Sequence, residues 1–140
     1  MRKEFYWPVR VYYEDTDAGG VVYYANYLKF MERARSELLR HLGFEQDRLQ
    51  QEQGILFAVH SASIRYKKPA RFNDELNVVT SIPALGKASL TFLQKVYNSD
   101  QVLLVQADIT IACLNAEKFI PQAIPAVILD TLQQEYDCGS

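Results

Sequence analysis

Between Asn26 and Leu42 the apolar residues fall on a helical period, and this one segment limits the folds open to the chain. Tyr27, Met31, Ala34, Leu38 and Leu42 form a stripe, widened by Leu28, Phe30 and Leu39. Lys29, Arg33, Glu37 and Arg40 lie on the opposite face. Asn26 is the expected N-cap and Gly43 the expected stop. Around this helix the pattern is strand-like. Val9–Tyr13 alternates in period two before it. Residues 45–53 are polar and predict a short surface helix or loop. Residues 56–67 alternate with a phase slip at His60 and Ser61 that predicts a bulge. Leu76–Ile82, Leu90–Val96 and Val105–Cys113 supply further strands, with Pro83 and Gly86 in one connection and Asn98-Ser99-Asp100 in a hairpin loop. Pro125 opens a short helix through Leu132. Short connections demand antiparallel neighbours, and a helix more than half apolar must be covered by that sheet. The expectation is an α+β fold, an antiparallel sheet of five to six strands around one long central helix.

Composition narrows the class of function. The 140 residues carry 15 Lys+Arg against 17 Asp+Glu, a net charge of −2. That length predicts a single domain over 1–140, and the balance argues against a nucleic-acid binder. No apolar run approaches the ~18 residues of a membrane span, and MRKEFYWPVR lacks the apolar stretch of a signal peptide. The two cysteines, Cys113 and Cys138, match no zinc spacing. Cys113 reads as a small apolar strand residue and Cys138 as a tail thiol, so the protein is expected to be cytoplasmic and without metal or redox cofactor.

The stretch Tyr13-Glu14-Asp15-Thr16-Asp17-Ala18-Gly19-Gly20-Val21-Val22-Tyr23-Tyr24-Ala25-Asn26-Tyr27 stands apart. Three acids in four residues precede two glycines and a run of tyrosines, between a strand and the helix. A calcium loop is excluded, because counting twelve from Asp15 reaches Asn26 rather than a bidentate Glu. A phosphate loop lacks its GKS/T ending, and a Ser-His-Asp site has no Gly-x-Ser-x-Gly. Acyl chemistry fits better. A carboxylate attacks or activates water, while backbone N–H groups at a helix N-terminus polarise a carbonyl and hold the developing oxyanion. The glycines let a substrate approach the backbone.

Asp15-Thr16-Asp17-x-x-Gly20-Val21-Val22-x-Tyr24-x-Asn26-Tyr27, running into a long helix, resembles the signature of the 4-hydroxybenzoyl-CoA thioesterase family. The wider run from Trp7 to Tyr23, with Glu32-Arg33-Ala34-Arg35 and Pro69-Ala70-Arg71, is similar to its Tol–Pal-associated acyl-CoA thioesterase branch. The resemblance implies a hot-dog fold and hydrolysis of an acyl-CoA to a carboxylic acid and CoA. It also implies homodimers or homotetramers with sites between subunits, CoA entering only as part of the substrate. By that resemblance Asp17 is the catalytic carboxylate, as nucleophile or general base, and the Tyr24 backbone N–H is the donor to the thioester carbonyl. Close relatives commonly carry His where this chain has Tyr24.

Around these, Asp15 is expected to orient the turn, Gly20 to allow close approach, and Asn26 to cap the helix. Glu32 is the rival carboxylate, since another hot-dog branch uses a Glu of the central helix; it is otherwise a partner of Arg35 or Ser36. For the CoA phosphates, cations are wanted. Lys67, Lys68 and Arg71 flank Pro69, and Gly86-Lys87-x-Ser89 stands where the family places pantetheine and phosphate contacts. A second reading is an acyl-CoA or acyl-carrier-protein binding module serving the cell envelope. A hot-dog dehydratase is a third, without the expected Asp/His pair.

Overall fold

The computed structural model describes residues 3–136 and 138. It is α+β: five strands form one antiparallel sheet, β1 (Phe5–Arg10), β2 (Ile55–Tyr66), β3 (Glu75–Leu85), β4 (Ser89–Tyr97) and β5 (Leu103–Asn115). The spatial order is β1-β3-β4-β5-β2, so β1 and β2 are the edges. Among the described residues there are three α-helices, α1 (Asn26–His41), α2 (Gln46–Gln53) and α3 (Ala126–Tyr136). The period-two residues of β4 and β5 explain the core: Leu90, Phe92, Gln94 and Val96, with Val105, Ala107, Ile109, Ile111 and Cys113, all point inward and are buried. Tyr27, Phe30, Met31, Ala34 and Leu38 of α1 bury the helical stripe with them, in one continuous core.

Several expectations are corrected in detail. The first strand is Phe5–Arg10, not Val9–Tyr13. After Val11 the Tyr12 N–H is taken by the Asp15 carboxylate, and the chain winds into a 3-10 turn at Tyr13–Asp15. Pro83 lies inside β3 rather than in the connection. It sits where the β3–β4 register shifts between Ser81 and Ala84, past Thr80, the last β3 residue paired with β1, so its missing N–H breaks no ladder bond to β1. The slip at His60 is a bulge, between Val59 and Ser61 of β2. Leu28 does not join the buried stripe; it is exposed beside β2. Cys138 is not a loose tail thiol but is buried, its Sγ 3.4 Å from the Leu132 carbonyl. No helix among the described residues is long and apolar enough to cross a membrane.

Candidate functional site

The acidic stretch is tied down by one side chain. Asp15, 6% exposed, accepts the Tyr12 N–H at 2.9 Å on Oδ2 and the Asn26 Nδ2 amide at 2.8 Å on Oδ1. Its carbonyl accepts the Tyr23 N–H at 2.9 Å. The approach to the loop, the chain leaving it and the first residue of α1 are thus bound to one residue, and charge-assisted bonds of this kind are the strong ones. Asn26 is therefore not the N-cap: Ala25 holds that position in a helical conformation, and Asn26 sends its amide eleven residues back instead of capping.

Asp17 begins a tight turn. Its N–H donates to Val21 O at 2.9 Å and its carbonyl accepts from Gly20 N at 3.0 Å, with Thr16 and Val22 bridged behind. Gly20 has φ +77, a left-handed conformation that side chains adopt at a cost. Gly19 has its own reason. Its N–H donates to Asp17 Oδ1 at 2.8 Å, and a Cβ there would stand 3.2 Å from that same oxygen. Asp17 is exposed, and among the described residues its Oδ2 has no hydrogen-bond partner. The carboxylate is thereby aimed through one oxygen and free at the other.

The turn lies against the segment after β2. Val22 N donates to Ala70 O, Phe72 N to Gly20 O, and Val21 bridges Arg71. Tyr13 stacks on Phe72 with ring centroids 3.9 Å apart. At the amino end of α1 the Asn26 N–H is satisfied by Tyr23 O, but no described residue accepts the Tyr24 N–H. Beside it a pocket of ≈ 240 Å³ opens between Val22, Tyr27, Tyr66, Lys67, Lys68 and Pro69. Tyr66 donates its hydroxyl to Tyr24 O at 3.3 Å, and the buried Tyr27 hydroxyl accepts the Ala70 N–H at 3.0 Å. Burial holds the Tyr27 phenol above its ordinary pKa, against the lowering effect of that Ala70 bond. Neither tyrosine was singled out from sequence as a part of the site, because their roles depend on the fold bringing residues 24–27 and 66–70 together.

The structure thus brings together Asp15, Asp17, Gly20, Tyr24, Asn26, Lys67, Lys68 and Arg71. It does not bring Lys87 and Ser89 to them. Residues 11–22 pack at the Glu75 end of β3, whereas Lys87 lies in the turn after Leu85 and Ser89 begins β4. About 30 Å of strand lies between those ends at the usual rise. Glu32 stands on α1 with its Oε2 accepting from Ser36 Oγ at 2.7 Å. Of its two expected partners, Ser36 is bonded; no ion pair joins Glu32 to Arg35 among the described residues. Arg35, expected from the sequence only as a partner of Glu32, is bonded elsewhere. It is 8% exposed and donates from Nη1 to Gln94 Oε1 at 2.9 Å. Gln94, fully buried, donates in turn to Met31 O and Thr80 Oγ1. A polar residue in the inward phase of β4 was the available signal.

A carboxylate on a turn locked to a helix N-terminus, inside this sheet-and-helix scaffold, defines a class. The chain belongs to the thioesterase superfamily, whose family profile matches residues 19–105. It is 45% identical over 130 residues to the acyl-CoA thioester hydrolase YbgC of Escherichia coli O6:H1, covering 93% of this chain and 96% of that one. The acyl-CoA thioesterase YbgC of Haemophilus influenzae is 45% identical over 121 residues, covering 86% and 88%. Among solved structures, a probable thioesterase from Bartonella henselae superposes with a TM-score of 0.83 at 36% identity, over 88% of this chain and 100% of that one. The family and the hot-dog fold expected from the Asp15–Tyr27 motif are borne out.

Proposed function

We propose that the protein hydrolyses acyl-CoA thioesters to a carboxylic acid and CoA, with Asp17 as the reacting carboxylate and the Tyr24 N–H as the oxyanion donor. The observation that carries this reading is the unpaired Tyr24 N–H at the amino end of α1, beside a turn that holds Asp17 by one oxygen only. The names of the relatives at 45% identity support the substrate class. In this reading the thioester carbonyl docks on the Tyr24 N–H, and its carbon becomes more electrophilic as negative charge develops on oxygen next to the positive end of the helix dipole. Asp17 either attacks that carbon, giving a mixed anhydride and CoA thiolate, or removes a proton from the attacking water. Asp15 and Asn26 position the turn without touching substrate.

Because Lys87 and Ser89 lie at the far end of the sheet, they reach a CoA bound at Asp17 only from a second copy of the chain. The exposed edge strand β2 supports a homodimer that would supply them. The deciding experiment is CoA release by Asp17→Asn. Asn keeps an acceptor for the Gly19 N–H, so folding and binding are retained while turnover falls by about 10²–10⁴-fold. Near-normal turnover by this variant would refute the assignment. Single-turnover hydrolysis in ¹⁸O-water separates the two roles, since label entering Asp17 requires the anhydride. Tyr24→Pro removes the N–H together with the ring that packs on Tyr23 and Tyr66, and is expected to lower kcat by about 10²–10³-fold, whereas Tyr24→Ala, which loses the ring and keeps the N–H, should stay near wild type.

A further inference from the structure

A second pocket lies beneath α1, away from the Asp17 turn, with a volume of ≈ 210 Å³. Its wall is largely apolar, with Leu39, Phe57, Phe92 and Leu132, and its polar lining is Glu32, Arg35, Ser36 and Gln46. Such a wall does not by itself require a cation. Burying a guanidinium without a carboxylate partner is expensive, and no described acid lies within ion-pair distance of this one. Gln94 is neutral and takes only one of the five N–H donors. Among the described residues no buried side-chain nitrogen is left without a partner, so the remaining Arg35 donors are not sealed in protein, and Arg35 lines the pocket.

The pocket is also connected to the reaction end of the helix. A groove of ≈ 500 Å³ shares Glu32, Arg35 and Val59 with it and continues to Leu28, in the first turn of α1. From Asn26 to Arg35 the helix advances nine residues, about 14 Å. A cavity of ~150 Å³ accommodates benzene, so ≈ 210 Å³ suits roughly eight carbon-sized atoms.

We propose that this pocket receives the far end of the acyl group and that Arg35 binds an anionic terminus there, so that the substrates are ω-carboxyacyl thioesters. This rests on the thioesterase reading for the identity of the ligand's other end. The fork of donors matches a carboxylate in two-point contact. Glu32, which lines the same pocket and acts electrostatically on Arg35, opposes this. It is solvent-exposed and occupied by Ser36, so its repulsion is screened more than the attraction of the buried Arg35. Two residues three apart on one helix thus act with opposite sign on the same ligand.

The test uses thioethers, which cannot be hydrolysed: S-dodecyl-CoA and S-(11-carboxyundecyl)-CoA, of equal chain length and long enough to follow the ~14 Å of helix, titrated into the protein by calorimetry. The carboxylated compound is expected to bind about tenfold tighter or more. Arg35→Met should abolish the preference and Glu32→Gln should enlarge it. Arg35→Lys, which keeps the charge and loses the fork, should retain part of it and serves if the Met variant does not fold. Equal or weaker binding of the carboxylated thioether by the wild-type protein overturns the proposal, as does an undiminished preference in Arg35→Met. Turnover is read separately, on dodecanoyl-CoA and dodecanedioyl-CoA. Absence of any hydrolysis with the binding preference intact would sink the thioesterase reading and leave the Arg35 pocket standing.

Discussion

Polar chemistry meets α1 at two places, and the two are held in opposite ways. At the amino end Asp17 is exposed, supported by one N–H, and loses little solvation by being there. In the middle Arg35 and Gln94 are buried, and four groups from α1, β3 and β4 must agree in position for the network to close. The first arrangement leaves a charge free to react at almost no expense in stability. The second ties stability to the order of the polar groups. A substitution in one region should therefore change rate without stability, and in the other stability before rate.

The largest expected effect tests the first half of that contrast. Asp17→Asn should lose turnover by the factor given above while the unfolding free energy in urea stays within about 0.5 kcal/mol of wild type, as for other surface changes; a marked loss of stability would break the contrast. Gln94→Ala should do the reverse. It strands the Arg35 donor and the Thr80 hydroxyl, costing about 2–3 kcal/mol in urea unfolding. Thr80→Ala combined with it should be non-additive, because both remove the same bond. Asp15→Ala stands between the two regions. It leaves the Tyr12 N–H and the Asn26 amide without their acceptor, for about 1–3 kcal/mol, and it lowers kcat as well because the turn loses its anchor. Rate and stability should fall together, and a variant losing only one would separate anchoring from positioning.

The smallest expected effect concerns pH. The folded-state pKa of Tyr27 is raised, chiefly by burial, so the folded protein favours the neutral phenol. Its contribution is fully present below the unfolded value near 10 and is lost as pH rises through the higher folded value. Stability should therefore decline above about pH 10, and Tyr27→Phe should make that decline shallower. An unchanged alkaline limb in urea titrations of Tyr27→Phe would assign it to other groups whose burial also raises their pKa values, Tyr66, Cys113 and Tyr136 among them.

The same contrast explains what was legible in the sequence. Local periodicity identified α1, the inward rows of β4 and β5, and the β2 bulge, because each depends on neighbours within a few residues. Resemblance marks Asp17 as the reacting carboxylate, and the backbone-bonding habit of Asp marks Asp15 as the one that orients the turn. What the sequence does not carry is that Asp15 is buried and bonded to both Tyr12 and Asn26, which is a property of the assembled fold. Asn26 misled for a related reason: its residue type favours capping, but a buried carboxylate eleven residues upstream competes for its amide and wins. Arg35 was harder still. Its partner is 59 residues away on β4, and no pattern within α1 announces it. The placement of Lys87 and Ser89 opposite the Asp17 turn could not be seen from motif spacing, which carries no information about the two ends of a strand.

The unpaired Tyr24 amide has one more consequence, for observation rather than catalysis. Most N–H groups in a folded chain are protected from hydrogen exchange by their own carbonyl partners. This one stands beside the candidate reaction centre with no partner among the described residues. It should exchange rapidly with deuterium in the ligand-free protein, slow down when a thioester carbonyl occupies it, and so report occupancy of the oxyanion position through a single backbone resonance.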